Sequence, residues 1–147
     1  MKISTKGRYA LRLMLDLALH DQEKPIRLKD VAARQGISVK YLESIAGVLA
    51  KAGYIRSLRG AQGGYFLKYS AEQYKVGDIL RLTEGSMAPV DCLETEENHC
   101  PRAETCTTLR LWKELDTAVK SVIDHYTLAD LVIWEKQKGN EIGRAHV

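Results

Sequence analysis

The stretch 28-LKDVAARQGISVKYLESIAGVLAKAGYIRSLRGAQGGYFL-67 decides the fold. Leu28 to Gln35 reads as a short helix that Gly36 ends, since glycine takes the left-handed backbone of a helix terminus without strain. Ser38 stands where an N-cap is needed, and a further helix runs to about Ala52, with Gly53 stopping it. Ala32 is small where the two helices would cross, and Ile37, Leu42 and Ile45 can face the core between them. Two short helices joined by a glycine turn bury their apolar faces well as a helix-turn-helix; an ordinary helical hairpin is the alternative. Tyr54 to Leu58 and Tyr65 to Tyr69 are rich in β-formers. Arg59 to Gly64 between them holds three glycines, so the pair is expected as a hairpin. A basic hairpin directly after the second helix has the layout of a wing.

This layout assigns chemistry to particular residues. The Ser38 hydroxyl and the helix N-terminus can contact a phosphate. Lys40, Tyr41 and Glu43 lie where a recognition helix reaches base edges in a major groove. Glu43 can accept from a cytosine amino group or limit binding to some sequences by repulsion. Arg56 and Arg59 lie on the wing, where glycines let backbone approach a sugar-phosphate chain closely.

Charge supports a polyanion partner on one side only. Residues 1–90 carry 15 Lys or Arg against 8 Asp or Glu, and residues 91–147 carry 7 against 11. Two basic stretches lack any acid: Lys2 to Leu15, with Lys6, Arg8 and Arg12, and Ser44 to Ala71, with Lys51, Arg56, Arg59 and Lys68. An ordinary solvated surface is the competing reading of charge alone.

Working outward, Thr5 to His20 has Leu11, Met14, Leu15 and Ala18 at helical spacing, widened by Leu13 and Leu17. A polar connection, 21–25, follows. Val76 to Thr83 is expected as a short helix and Glu84 to Pro89 as a turn region. A long helix is expected from about Thr107 to Tyr126. Its Trp112, Leu115, Val119, Val122 and Tyr126 recur at alternating spacings of 3 and 4, a coiled-coil-like seam. Thr127 can cap a last short helix with Leu128, Leu131 and Val132. The chain after Lys136 is expected to be disordered, and Gly143 to Val147 reads as a vector remnant. The expected fold is mainly α: a winged helix-turn-helix with a two-stranded β wing and a long C-terminal dimerisation helix. The expected divisions are a DNA-binding domain (1–84), a cysteine-containing segment (85–106), the dimerisation and short terminal helices (107–135) and a tail (136–147). No apolar run nears the roughly 18 residues of a membrane span. Met1 leads straight into charge rather than a signal peptide, so a cytoplasmic protein is expected.

Cys92, Cys100 and Cys106 are the three cysteines, all within 15 residues. An odd count in a cytoplasmic setting argues against a disulfide framework, and clustering favours a metal or redox site. The spacing is not the paired C-x2-C of structural zinc. Thiolates suit iron–sulfur clusters, which take four ligands. Spacing alone leaves iron, a zinc site completed by His99, and a metal-free thiol switch all open.

The opening MKISTKGRYALRLMLDLAL, the stretch ISVKYLE, the wing RGAQGGYFL and the three cysteines together resemble the winged-helix regulators that include IscR, CymR and NsrR. The likeness covers roughly residues 1–135. It implies a homodimeric repressor or activator that binds a near-palindromic duplex and has a long helix at its dimer interface. It implies DNA contacts at Ser38, Tyr41 and Glu43 on the recognition helix, at Arg59, Gln62 and Gly63 in the wing, and at Lys6 and Arg8 where the first helix begins. It also implies an iron–sulfur cluster on Cys92, Cys100 and Cys106, [2Fe–2S] favoured over [4Fe–4S], with one non-cysteine ligand. The histidine that IscR-like members place three residues after the third cysteine is Leu109 here. The N-terminal carboxylate used across the dimer in some NsrR-like members is Arg8. His99, Glu104, Asp91, Glu97 or a partner-subunit group remain as candidates. A cysteine-metabolism repressor like CymR and a nitric-oxide sensor like NsrR are the alternatives within this class. Against an enzyme, the chain has no Gly-rich phosphate loop, no H-E-x-x-H and no C-x-x-C. Its four histidines (His20, His99, His125, His146) are not spaced as a catalytic pair.

Overall fold

The computed structural model describes residues 2–20 and 24–145, the last seven of these for their backbone alone. Residues 21–23 of the expected polar connection and 146–147, with His146, lie outside the described residues. The elements are α1 (Thr5–Leu19), α2 (Leu28–Gln35), α3 (Val39–Lys51), β1 (Ile55–Leu58), β2 (Gly64–Leu67), α4 (Val76–Glu84), α5 (Thr107–Ile123) and α6 (Leu128–Ala145). Helices dominate and the strands form one antiparallel pair, with Ile55 opposite Leu67 and Leu58 opposite Gly64. The mainly α, winged helix-turn-helix expectation holds.

Gly36 ends α2 at φ 65°, in the left-handed region that favours glycine. Ser38 caps α3 by accepting the Tyr41 N–H at 3.1 Å. Ile37, Leu42 and Ile45 are buried as their spacing predicts. On α1 the fully buried apolar residues are Ala10, Leu13, Met14 and Leu17. Leu11, Leu15 and Ala18, expected to lead the apolar stripe, pack only at its edge. The stripe is rotated because α1 is enclosed by α2, α3, α4, α6 and β2.

The hairpin has a third partner that sequence did not reveal. Ile26 and Tyr65 exchange two backbone hydrogen bonds, each 2.7 Å, so the chain before α2 pairs with β2. A Cβ on Gly64 would lie 2.5 Å from the Ile26 carbonyl oxygen, so only glycine allows this approach. Both strands are shorter than expected, with Tyr54, Lys68 and Tyr69 outside them.

The C-terminal part differs more. α5 stops at Ile123, not Tyr126, because Asp124 turns to chelate Arg81 of α4 at 2.8 and 2.7 Å. Residues Tyr126 to Leu128 then bridge to Tyr74–Val76. α6 runs to Ala145, well past the expected start of a disordered tail at residue 136. The apolar pattern stops near Trp134; the first residues of the polar continuation, Glu135 to Lys138, are good helix formers, and the helix continues through Gly139 and Gly143. Thr127 and Asp130 exchange hydrogen bonds at its start, as a cap does.

Among the described residues, one charged group lies in the core. Asp16 is 1% exposed and accepts from Arg34 at 2.6 and 3.1 Å and from Gln35 at 3.0 Å. Burial pushes its carboxyl up. The hydrogen bonds from Arg34 and Gln35 and the charges of Arg34 and His20 outweigh that, and its pKa lies below the ordinary 3.8. A lowered folded-state pKa means stability that is present above 3.8 and lost as pH falls through the lower folded value. Asp16→Ala is expected to cost toward the lower end of about 3–5 kcal/mol, since the stranded Arg34 can rehydrate. Thermal melts at neutral pH measure this, and the variant should lose less stability than wild type on acidification below 3.8.

Candidate DNA interface and cysteine segment

The first two turns of α3 present Ser38, Lys40 and Glu43 as exposed side chains and Tyr41 as half-buried. Tyr41 packs edge-on against Tyr9 of α1, ring centroids 5.6 Å apart. That contact brings the start of α1, with Lys6 half-buried and Arg8 exposed, beside the start of α3. Arg8 donates to the Thr5 hydroxyl at 3.0 Å. On the wing, Arg56, Arg59 and Gln62 are exposed. Gly63 donates to the Gly60 carbonyl at 2.9 Å, and a Cβ there would lie 2.1 Å from the Leu58 carbonyl oxygen. Closing the wing turn is therefore enough to require glycine at 63, whatever else approaches it.

Among the described residues a few cations are ion-paired and many are not, Arg110 and Lys113 of α5 included. Arg34, Arg81 and Lys120 each meet a carboxylate within 4.0 Å. Lys40, Arg56 and Arg59 meet none, and neither do Lys6 and Arg8. Exposed Lys40, Arg56 and Arg59 outnumber the one acid on these elements, Glu43, and give the α3 and wing face a net positive charge, the arrangement a polyanion would complete.

Two further arginines belong to this region, Arg27, which sequence reading did not single out, and Arg12, which it placed only in a basic stretch. Arg27, just before α2, donates to the Ala61 carbonyl in the wing loop. Arg12 of α1 donates to the side chain and the carbonyl of Gln35. The signal for Arg27 is faint: two residues after Pro25 are too few to show strand alternation.

The cysteine segment fills the chain between α4 and α5. Cys92 sits in a 3-10 turn, Asp91–Leu93, and Cys106 is the N-cap residue of α5. All three thiols are free and half-buried. Cys92 and Cys100 line one cavity of about 290 Å³ with Asp91, Thr95 and His99. Cys106 lines a different groove along α5, beside Ala103, Leu109 and Arg110. Among the described residues no three His, Cys, Asp or Glu side chains are gathered to hold a metal. Structure thus brings two of the three expected ligands together and leaves the third apart. Of the candidate fourth ligands, Asp91 and His99 border the cavity and Glu97 and Glu104 do not; Leu109, at the position of the missing histidine, is buried.

The donor set nonetheless suits a thiolate-bound group. The Cys106 thiol is held below its ordinary 9.0 by a hydrogen bond from the Thr108 hydroxyl, then by the Leu109 N–H and the charge of Arg102. Asn98 accepts the Cys100 N–H at 2.9 Å, and its own buried Nδ2 has no partner. An unmet donor beside a cysteine fits an acceptor such as sulfide or thiolate.

The helices at the two ends of this segment differ in their surroundings. Glu84, the last residue of α4, accepts from the backbone N–H of Ser4 at 3.1 Å and from the Ser4 hydroxyl. Ser4 in turn caps α1, accepting the Gly7 N–H at 3.1 Å. On the other side, α5 exposes much of its apolar seam. Leu115 is 38% exposed, Val122 54% and neighbouring Leu111 55%, and Leu109 is the helix's buried residue. Ile3, Met87, Ala118, Val119, Val122 and Ile123 line a wholly apolar hollow of about 350 Å³.

No helix among the described residues is long and apolar enough to cross a membrane. Residues 3–133 match the family model Rrf2, described as an iron-dependent transcriptional regulator. Protein rrf2 of Nitratidesulfovibrio vulgaris is 48% identical over 132 residues, which are 90% of this chain and 87% of that protein. The solved structure of CymR from B. subtilis, titled as that organism's global cysteine regulator, superposes with a TM-score of 0.77 at 42% identity, covering 91% of this chain and 98% of that one. The structure of T. potens IscR gives a TM-score of 0.74 at 38% identity, covering 94% and 90%. The winged helix-turn-helix with its C-terminal helices and these likenesses agree: the chain belongs to the Rrf2 family of transcriptional regulators, similar to IscR and CymR.

Proposed function

We propose that this regulator binds double-stranded DNA as a homodimer on a near-palindromic operator, and that Cys92, Cys100 and Cys106 hold an iron–sulfur cluster whose presence adjusts that binding. The observation that carries the DNA reading is the exposed net positive charge of the α3 and wing face on a winged helix-turn-helix. Arg56, Arg59 and Lys40 would neutralise phosphates and release their counterions. The Ser38 hydroxyl and the α3 N-terminus would fix register on the backbone, and Tyr41 and Glu43 would face base edges. Gln62 and the Gly63 backbone would follow the wing into a groove, with Lys6 and Arg8 supporting from α1. Arg59→Ala is expected to weaken binding. A phosphate contact would lower affinity alike on all sequences and make the salt slope shallower by about 1. A base contact would cost about 1–3 kcal/mol at one operator position. Titrations at several salt concentrations on operator and scrambled duplexes separate the two.

The uncovered seam of α5 supports the homodimer. α5 spans about 25 Å at the usual helical rise, enough to set two winged helices apart, and a two-fold axis would present both recognition helices to a palindrome. Leu115→Asp is expected to yield a monomer, or a chain that fails to fold, by light scattering at micromolar concentration. A wild-type protein that runs as a monomer there contradicts the dimer.

A bound cluster would supply chemistry sensitive to oxidants and to iron supply, [2Fe–2S] fitting better than [4Fe–4S]. The three thiols are the donors, the Asn98 amide can donate to a sulfur, and Asp91 and His99 are at hand for the fourth position. The residues around the segment can pass its state on. Gly85 to Cys106 joins the end of α4 to the start of α5, and Glu84 grips the cap of α1, where Lys6 and Arg8 begin. A tenfold change in DNA affinity needs only about 1.4 kcal/mol of coupling. Replacing each cysteine by Ala, with anaerobic purification, should remove iron and visible absorption and shift operator affinity. Retention of full iron content by all three variants contradicts the ligand assignment. The separation of Cys106 from the other two thiols favours a second reading, a CymR-like regulator that works by thiol chemistry or a partner protein. A colourless, iron-free anaerobic preparation with full operator affinity selects it.

A further inference from the structure

Arg12 lies in the acid-free basic stretch from Lys2 to Leu15, and charge alone would allot it to the DNA backbone. Its surroundings point elsewhere. Nε donates to the Gln35 side-chain oxygen at 3.0 Å, and Nη2 donates to the Gln35 main-chain carbonyl. The guanidinium lies over the Tyr9 ring, 5.3 Å from its centroid. Two of its N–H groups and its cationic face are thus engaged within the protein, and the side chain is half-buried.

The partners of Arg12 converge on the recognition helix. Gln35 is the last residue of α2, one of the carbonyls that a helix C-terminus leaves unpaired, and a cation there also complements the helix dipole. The Gln35 amide is held from both sides, since its Nε2 donates to Asp16 at 3.0 Å. Gly36 follows at once, and Ser38 caps α3 two residues later. On the other flank the Tyr9 ring meets Tyr41 edge-on, at 81° and 5.6 Å. One side chain therefore touches the residue before the turn and the ring that packs on the third residue of α3. We infer that Arg12 is a positioning residue for sequence-specific DNA recognition: it fixes the α2–α3 turn and, through Tyr9, the side chain of Tyr41, and it makes no phosphate contact.

This inference rests on the reading that α3 and the wing face DNA, and it makes a distinguishable prediction. Base contacts need the recognition helix in register, whereas backbone contacts tolerate small shifts. Arg12→Gln should lower affinity for the operator on the order of three- to tenfold, the worth of about one hydrogen bond. It should leave affinity for a scrambled duplex and the salt slope unchanged. Arg12→Lys keeps the charge but loses the forked donors, so it should show the same loss. In a Tyr41→Ala background the cost of Arg12→Gln should shrink, because the ring through which it acts is gone. Thermal melts confirm that each variant is folded at the assay temperature. Equal loss on both duplexes with a salt slope shallower by about 1, or full rescue by Arg12→Lys, overturns the inference and makes Arg12 a phosphate contact. Strictly additive effects of Arg12→Gln and Tyr41→Ala overturn the route through Tyr9. If Tyr41→Ala and Arg59→Ala both leave operator binding untouched, the DNA face itself is misplaced, and the inference falls with it.

Discussion

A buried carboxylate sets the geometry on which the rest depends. Asp16 sits in the core of α1 with almost no solvent contact, and its charge survives there because Arg34 and Gln35 hydrogen-bond it. Those two residues are the last of α2. Apolar packing is non-directional, so it could hold α2 near α1 without fixing how the chain leaves it. Charge-assisted hydrogen bonds carry direction. By pinning the end of α2, Asp16 fixes where Gly36 turns the chain and where Ser38 begins α3. The helix-turn-helix is thereby built onto α1 as one piece.

The second organising feature is α4, which has a polar grip at each flank. Arg81 holds Asp124 just beyond the end of α5, and Glu84 holds Ser4 at the start of α1. A short helix thus joins the apolar, uncovered α5 to the basic N-terminal region. The cysteine segment bridges the same two places, from Gly85 to Cys106. Any change in how that segment is held would act on α4 and α5 together. The α1 cap is one hydrogen bond away. This is a physical basis by which the proposed thiol or cluster chemistry would be linked to the proposed DNA-facing surface, with no long relay between them.

The helices of the N-terminal half were legible because their punctuation is strong. Gly36, Ser38 and Gly53 mark ends that backbone chemistry requires, and β-formers around a glycine-rich loop mark the wing. What was hidden there depends on residues distant in sequence. The Ile26–Tyr65 bridge is too short to leave a pattern. The rotated stripe on α1 reflects neighbours on several sides, which periodicity cannot report. Arg12 looked like a free cation, since nothing local shows that Gln35, 23 residues away, would engage it. In the C-terminal half the end of α5 was set by the Arg81–Asp124 pair, 43 residues apart. The length of α6 was missed because its last turns carry no apolar repeat. For the cysteines, sequence supplied a donor type that suits a cluster, a zinc ion or a thiol switch alike. It said nothing of their placement, which puts Cys92 and Cys100 together and Cys106 on another groove.

Hydrogen–deuterium exchange with and without a near-palindromic operator duplex tests most directly whether α3 and the wing form the DNA-binding face. Slowed exchange should appear at Ser38 to Glu43, in the wing from Arg56 to Gly63 and at the start of α1. Protection confined to α5 and the cysteine segment, with α3 and the wing unchanged, would contradict it.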